Sequence, residues 1–198
     1  VRPTLLVVVY IVLLTVVGTA FYRTRVLPEQ TAGRTAGATT PVPLSPEGSQ
    51  EAARVVWISD GDTIVVRPLA GPYAGQEQRI RLIGLDAPET HPAPQCWARE
   101  STAALLKLLP RGSTVKLAFD DRRIDDYGRQ LRYAWNASGT LVNSEQLAQG
   151  NAFVLRIWPN VEYEKAFADA AAAAQRAKRG LWGSCPNPQP PVHTPRAS

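Results

Sequence analysis

Apolar residues change their spacing several times along the chain. Residues 5–22 read LLVVVYIVLLTVVGTAFY, 18 positions without a charge. Residues 23–52 are rich in Thr, Ala, Gly and Pro and have no apolar period, which predicts a flexible linker. Across residues 53–185, short β-branched and aromatic runs alternate with segments of helical period, the pattern of one folded unit. Residues 186–198 hold five prolines in 13 positions and predict a disordered tail.

Within the folded unit, strands are predicted at 55–58, 63–67, 79–83, 114–119 and 131–135. A turn over 59–62 joins the first two, and a Gly-rich loop over 71–76 leads to the third. Apolar residues at 98, 105, 106 and 109 predict a helix over 97–109, stopped by Pro110 and Gly112. Asn143 and Gln146 form a capping-box pattern, Val142 is placed to staple Leu147, and Gly150 ends that short helix. Tyr163, Phe167, Ala170, Ala174 and Leu181 share one face of a last helix ending near Gly180, with Trp182 sealing it. Five short strands with interleaved helices predict an α+β fold. Its expected form is a five-stranded OB-type β-barrel with about three packed helices, preceded by the hydrophobic segment.

That segment reads equally as a retained membrane anchor and as a cleaved signal peptide. Its length is at the short end for a span. Arg2, the apolar run 5–17 and the small-x-small site Gly18-Thr19-Ala20 are the parts of a signal. Arg23 and Arg25 follow the run and only Arg2 precedes it, a count that opposes export. Long folded domains translocate largely regardless of such flanks. The two cysteines, Cys96 and Cys185, favour export: they are either free thiols or one disulfide, and a bridge persists only outside the reducing cytosol. The domain is therefore expected outside the cytoplasm, membrane-anchored or secreted. No CxxC occurs, and His91 and His193 are not at ligand spacing to the cysteines, which argues against a zinc site.

The net charge is +5, but residues 51–185 hold 17 basic and 15 acidic groups. A polyanionic partner must then be gripped by local arginines rather than drawn by a global field. Three short stretches carry the candidate chemistry. SDGDT at 59–63 holds Asp60 and Asp62, IRLIGLDAPET at 80–90 holds Arg81, Asp86 and Glu89, and YGR at 127–129 holds Arg129. Converging carboxylates make a site for a hard cation such as calcium, completed by a backbone carbonyl and waters. Singly, Asp62 and Asp86 read as well as ordinary turn and loop acids. Asp60 is a turn-former or a carboxylate that tunes such a site from behind. Pro88 fixes the backbone before Glu89, which near a bound water is a general base and otherwise a solvated acid. Arg81 alternates with Ile80 and Leu82, so it points away from them toward a groove. Guanidinium groups grip phosphate oxygens and offset charge growing in a transition state. Taken alone, Arg81 and Arg129 also read as exposed strand and turn charges. His91 lies in a loop where Glu89 already supplies a base, and no catalytic role is assigned to it.

Taken jointly, the chain resembles the staphylococcal nuclease (thermonuclease) family over about residues 53–183. DGDT at 60–63, RLIGLDAPE at 81–89 and DxYGR at 125–129 occur in that family's order and at similar spacing. NSEQLAQGNAF at 143–153 and RGLWG at 179–183 also match. The resemblance implies Asp62, Asp86 and the Ala87 carbonyl as calcium ligands and Glu89 as the base activating water. It implies Arg81 and Arg129 on the scissile phosphate and Tyr127 near a nucleotide phosphate. Ala87 stands where close relatives have a threonine, which keeps the carbonyl but loses a hydroxyl. The loop 90–95 is shorter than in the type enzyme, which bears on substrate access. Exported relatives carry cysteines at both places, so the resemblance implies a Cys96–Cys185 bridge. The implied activity is calcium-dependent hydrolysis of DNA and RNA by a monomer with weak sequence preference, leaving 3′-phosphate ends. The rival is a noncatalytic nucleic-acid-binding OB module. Family members of that kind lose the site's carboxylates and arginines, whereas Asp62, Arg81, Asp86, Glu89 and Arg129 are all present here.

Overall fold

The structure, a computed structural model, describes residues 50–192 of the 198. The hydrophobic run 5–22, nearly all of the expected linker and residues 193–198 lie outside the described residues. No helix among the described residues is long and apolar enough to cross a membrane.

Among the described residues, seven strands and four helices follow in chain order: β1 (Glu51–Ile58), β2 (Thr63–Pro68), β3 (Gln78–Leu82), β4 (Leu85–Asp86), α1 (Ala98–Leu108), β5 (Thr114–Ala118), β6 (Gln130–Trp135), α2 (Val142–Ala148), β7 (Phe153–Val154), α3 (Glu164–Arg176) and α4 (Leu181–Ser184). Five of the strands close a barrel in the order β1-β2-β3-β6-β5. This is the OB-type barrel with three packed helices, to which α4 adds a single turn. Closure depends on β1, which pairs antiparallel with β2 (Ala53↔Pro68 to Ile58↔Ile64) and with β5 (Glu51↔Leu117 to Arg54↔Thr114). A register shift between Val55 and Trp57 bends it to serve both neighbours. The strand therefore starts at Glu51, within the last residues read as linker. Its opening residues pair with a distant strand, and no local period signals that. β3 and β6 run parallel, with Ile80 opposite Gln130.

The core takes Ile64, Val66, Ile80, Leu82, Leu117 and Leu131 from the barrel strands, and Leu105, Leu147 and Phe167 from the helices. Tyr133 joins barrel to α3: its ring meets Tyr163 edge-on at 4.6 Å, and its hydroxyl donates to Asp120 Oδ2 at 2.8 Å. Burial and that hydrogen bond push the Tyr133 phenol well above its ordinary pKa.

Two local expectations give way to tertiary contacts. Asn143 and Gln146 do not form a capping box: α2 starts at Val142, its N-cap is Leu141, and no side chain caps it. Both side chains are fully buried and bond to other parts of the chain. The last helix is not continuous to Leu181. It stops at Arg176, Lys178 takes a positive φ of 50°, and α4 begins at Leu181. The break is held by Leu181 N–H donating to Gly150 O (2.9 Å) and Arg179 Nη1 donating to Ala148 O (2.7 Å). β4 and β7 also pair, as a two-stranded sheet with Asp86 opposite Phe153 that no sequence period marks. Two-residue strands are too short to show a period.

Cys96, just before α1, is bonded to Cys185, just after α4, with Cα atoms 5.9 Å apart and a sequence separation of 89. Of the described residues beyond the bridge, Pro191 is buried and Val192 is exposed. Replacing both cysteines by alanine removes the constraint on the unfolded chain. The expected loss is about 4–5 kcal/mol in the chain-entropy model, read as a lowered thermal midpoint against the oxidised protein.

Candidate active site

The site is built where β2, β3 and the 83–89 segment meet. Thr63 lies opposite Arg81 in the β2–β3 register, and Leu82 N–H donates to Asp62 O at 2.9 Å, which sets Asp62 beside Arg81. After Leu82 the chain reverses through Gly84, whose φ is +85°. A Cβ there would lie 2.3 Å from the Phe167 ring, so only glycine fits this turn against α3. The reversal returns Asp86 to Arg81. Gly61 plays a similar part in the other turn. A Cβ on it would sit 1.9 Å from Ser101 Oγ and 2.6 Å from Ala87 Cβ, so the 60–63 turn presses directly onto α1 and the 85–87 segment.

At the centre, Arg81 bridges two buried acids. Its Nη1 lies 3.1 Å from Asp62 Oδ2, and its Nη2 donates to Asp86 Oδ1 at 2.7 Å. Nη1 also donates to Leu85 O (2.8 Å) and Leu82 O (3.2 Å). Arg81 is only 3% exposed, Asp62 6% and Asp86 2%. Arg81 lines a cleft, but its partners bury the side chain almost completely. Asp62 is held further by Thr63 Oγ1 (2.8 Å) and by the Ala87 N–H (2.9 Å). The formal charge of the trio is −1, so the buried acids outnumber the cation that compensates them.

Asp60 accepts the Asp62 N–H at 3.1 Å, the Asx turn that makes it a turn-former. Burial first, and then the Asp62 charge, push its carboxyl up to about 7.

Glu89 and Arg129 come from loops. Glu89 N–H donates to Gln95 Oε1 (2.8 Å) and Gln95 N–H to Glu89 O (2.9 Å), which closes the 89–95 loop just before the disulfide. Asp125 organises the other turn. Its Oδ1 accepts the N–H of Tyr127 (2.9 Å) and of Arg129 (2.8 Å), and its Oδ2 accepts Arg129 Nε at 2.6 Å. The Arg129 guanidinium carbon lies 5.4 Å from the Tyr127 ring centroid. Tyr127 is 48% exposed.

A cleft of about 540 Å³ gathers these groups. Asp60, Asp62 and Glu89 supply its acids, Arg81 and Arg129 its expected cations, and Tyr127 an aromatic wall. Asp86 and Ala87 do not line it; they are buried and reach it through Arg81 and Asp62. Sequence reasoning missed three contributors. Arg79 lines the cleft, and the two-residue alternation that singled out Arg81 also applied to it. Asp125 was legible only as part of a motif, although Asp two residues before Tyr127 is an Asx-turn signal. Val192 lines the cleft from the tail, for which the sequence offers no signal.

The Asp60 shift fixes a pH dependence. Its folded pKa lies above the unfolded value of 3.8, so the folded state binds the extra proton between the two. The resulting stability is present below about pH 4 and is lost as pH rises through about 7. In calcium-free buffer, urea unfolding across that window is expected to show falling stability in the parent and a flatter profile in Asp60→Asn.

The family model for staphylococcal nuclease homologues matches residues 79–184. A thermonuclease of Staphylococcus hyicus is 31% identical over 140 residues, covering 69% of this chain and 78% of its own. An uncharacterized endonuclease of Escherichia coli O157:H7 is 35% identical over 143 residues, covering 70% of this chain and 80% of its own. Endonuclease YhcR of Bacillus subtilis (strain 168) is 32% identical over 168 residues, which is 80% of this chain but 13% of that protein. With the closed barrel and the three motifs converging on one cleft, these matches make the chain a member of the staphylococcal nuclease family.

Proposed function

We propose that the protein is a calcium-dependent endonuclease that hydrolyses phosphodiester bonds of DNA and RNA and leaves 3′-phosphate ends. The supporting observation is the cleft itself: a carboxylate suited to a base and two guanidinium groups face one space, above a pair of buried acids.

The donor set fits a hard cation. Asp62 and Asp86 bring carboxylate oxygens to the same guanidinium, one at Nη1 and the other at Nη2. Ala87, next in the chain and buried, offers a backbone carbonyl. Among the described residues no group of three or more His, Cys, Asp or Glu side chains gathers as a metal cluster. The protein would thus provide two carboxylates and a carbonyl, with water and substrate as the remaining ligands. Calcium bound there supplies charge against a phosphate oxygen and orients a water.

The other roles fall to the chain. Glu89 takes the proton of the attacking water as its oxygen bonds to phosphorus. The bond from phosphorus to the 5′ oxygen breaks, and that oxygen leaves with a proton from solvent. Arg81 and Arg129 hydrogen-bond the phosphate oxygens and stabilise the charge of the five-coordinate phosphorus. Tyr127 stands at the cleft edge beside a nucleotide phosphate. Asp60 tunes Asp62 from behind. Recognition through phosphate and stacking gives weak sequence preference, and the protein acts as a monomer. The disulfide supports a place outside the cytoplasm, secreted or held at the membrane by residues 5–22.

Cleavage of single-stranded DNA by the full chain, with calcium or with chelator, tests this reading. Chelator is expected to abolish cutting, and Glu89→Gln to lower it by at least ~10²-fold. Calcium-independent binding without cutting by either protein would instead establish the noncatalytic OB module.

A further inference from the structure

Arg79 is the third guanidinium of the cleft, and the mechanism above does not use it. The other two are committed: Arg81 to Asp62, Asp86 and two carbonyls, and Arg129 to Asp125. Arg79 is exposed, and its side chain makes no hydrogen bond or ion pair among the described residues. It sits in β3 two residues before Arg81, so both side chains leave the strand on the same face. Two residues of strand span about 6.6–6.8 Å, on the scale of one nucleotide step in an extended single strand. β3 thus presents two arginines in line along one wall of the cleft, one wrapped around the acids and one open.

We propose that Arg79 binds a phosphate next to the scissile one and so extends the cleft's grip along single-stranded nucleic acid. The inference rests on the nuclease reading for the position of the scissile phosphate at Arg81 and Arg129. Its physical basis is separate: an exposed, uncommitted guanidinium facing the same cleft is a ready donor to a second anionic group. The cleft's acids, Asp60, Asp62 and Glu89, lie with Arg81 in the lining, so a strand seated there needs a cation beyond the reaction centre to hold its register. A domain that is nearly neutral overall gains little from long-range attraction, which gives a single open arginine more weight.

Binding, not cleavage, is the first readout, so the test does not depend on the protein being active. The full chain carrying Glu89→Gln is titrated against a fluorescent single-stranded octanucleotide over a range of salt, with and without Arg79→Gln. Arg176→Gln, at the exposed end of α3, controls for the loss of one charge. Arg79→Gln is expected to weaken octanucleotide binding by about tenfold or more at low salt, the lower end of the scale for one hydrogen bond to a charged group. It is expected to flatten the slope of log affinity against log salt by about 0.7, the value for one phosphate on a single strand. The affinity ratio of octanucleotide to dinucleoside monophosphate falls with it. Arg79→Lys keeps the slope, and Arg176→Gln changes neither slope nor ratio. An unchanged slope in Arg79→Gln overturns the proposal. Equal losses for octanucleotide and dinucleoside monophosphate also overturn it, because Arg79 would then act on the scissile phosphate itself. Failure of the nuclease reading shows separately, as absence of calcium-dependent cutting by the parent chain.

Discussion

Everything at the site depends on one buried guanidinium. Asp62 and Asp86 come from different parts of the chain and carry like charges into a space almost closed to water. Arg81 holds both, and without it two desolvated carboxylates would face each other uncompensated. Its own position is set by backbone register: β3 must pair with β2 so that Thr63 lies opposite Arg81, and the chain must reverse at Gly84 to return Asp86. The bridge leaves one net negative charge among three ionic groups. That residual charge is what a hard cation would neutralise, and it contributes to the raised pKa of Asp60 through Asp62.

The loops around this centre are each held by a polar side chain. Gln146 Nε2 donates to Gly61 O at 2.9 Å and fixes the 60–63 turn from α2. Asn143, three residues earlier on α2, donates to Ile83 O (2.9 Å) beside the Gly84 reversal and accepts the Ala134 N–H (2.9 Å) of β6. Asp125 ties the 125–129 turn, and Gln95 closes the loop after Glu89. Loops carry backbone groups that strands cannot satisfy, and a buried amide that bonds them costs little while fixing their position. Functional side chains on loops thereby gain some of the rigidity of the barrel.

The electrostatics are local. The folded region is close to neutral, yet the cleft gathers three carboxylates and three guanidinium groups. Under the proposed reading, mixed charge at short range separates roles that a uniformly basic groove could not: acids to hold a cation and take a proton, arginines to hold phosphates. Each arginine's availability depends on its neighbours, with Arg81 enclosed, Arg129 half-committed to Asp125, and Arg79 open.

Residue order alone determined the barrel strands, the α1 helix, the domain's mild charge and the three motifs whose order identified the family. Those features are written in periods of two and 3.6 residues and in turn chemistry, which act between near neighbours. Tertiary structure decided the rest. Asn143 and Gln146 have the spacing of a capping box, but burial gives their amides backbone partners 60 and 85 positions away, and those bonds replace the cap. The last helix breaks after Arg176 because Arg179 and Leu181 bond to the chain around Ala148 and Gly150. Arg79 and Arg81 share one alternation, and only the placement of Asp62 and Asp86 encloses one and leaves the other open. A local pattern specifies which way a side chain leaves the backbone; what it meets there depends on chain segments that the pattern does not contain.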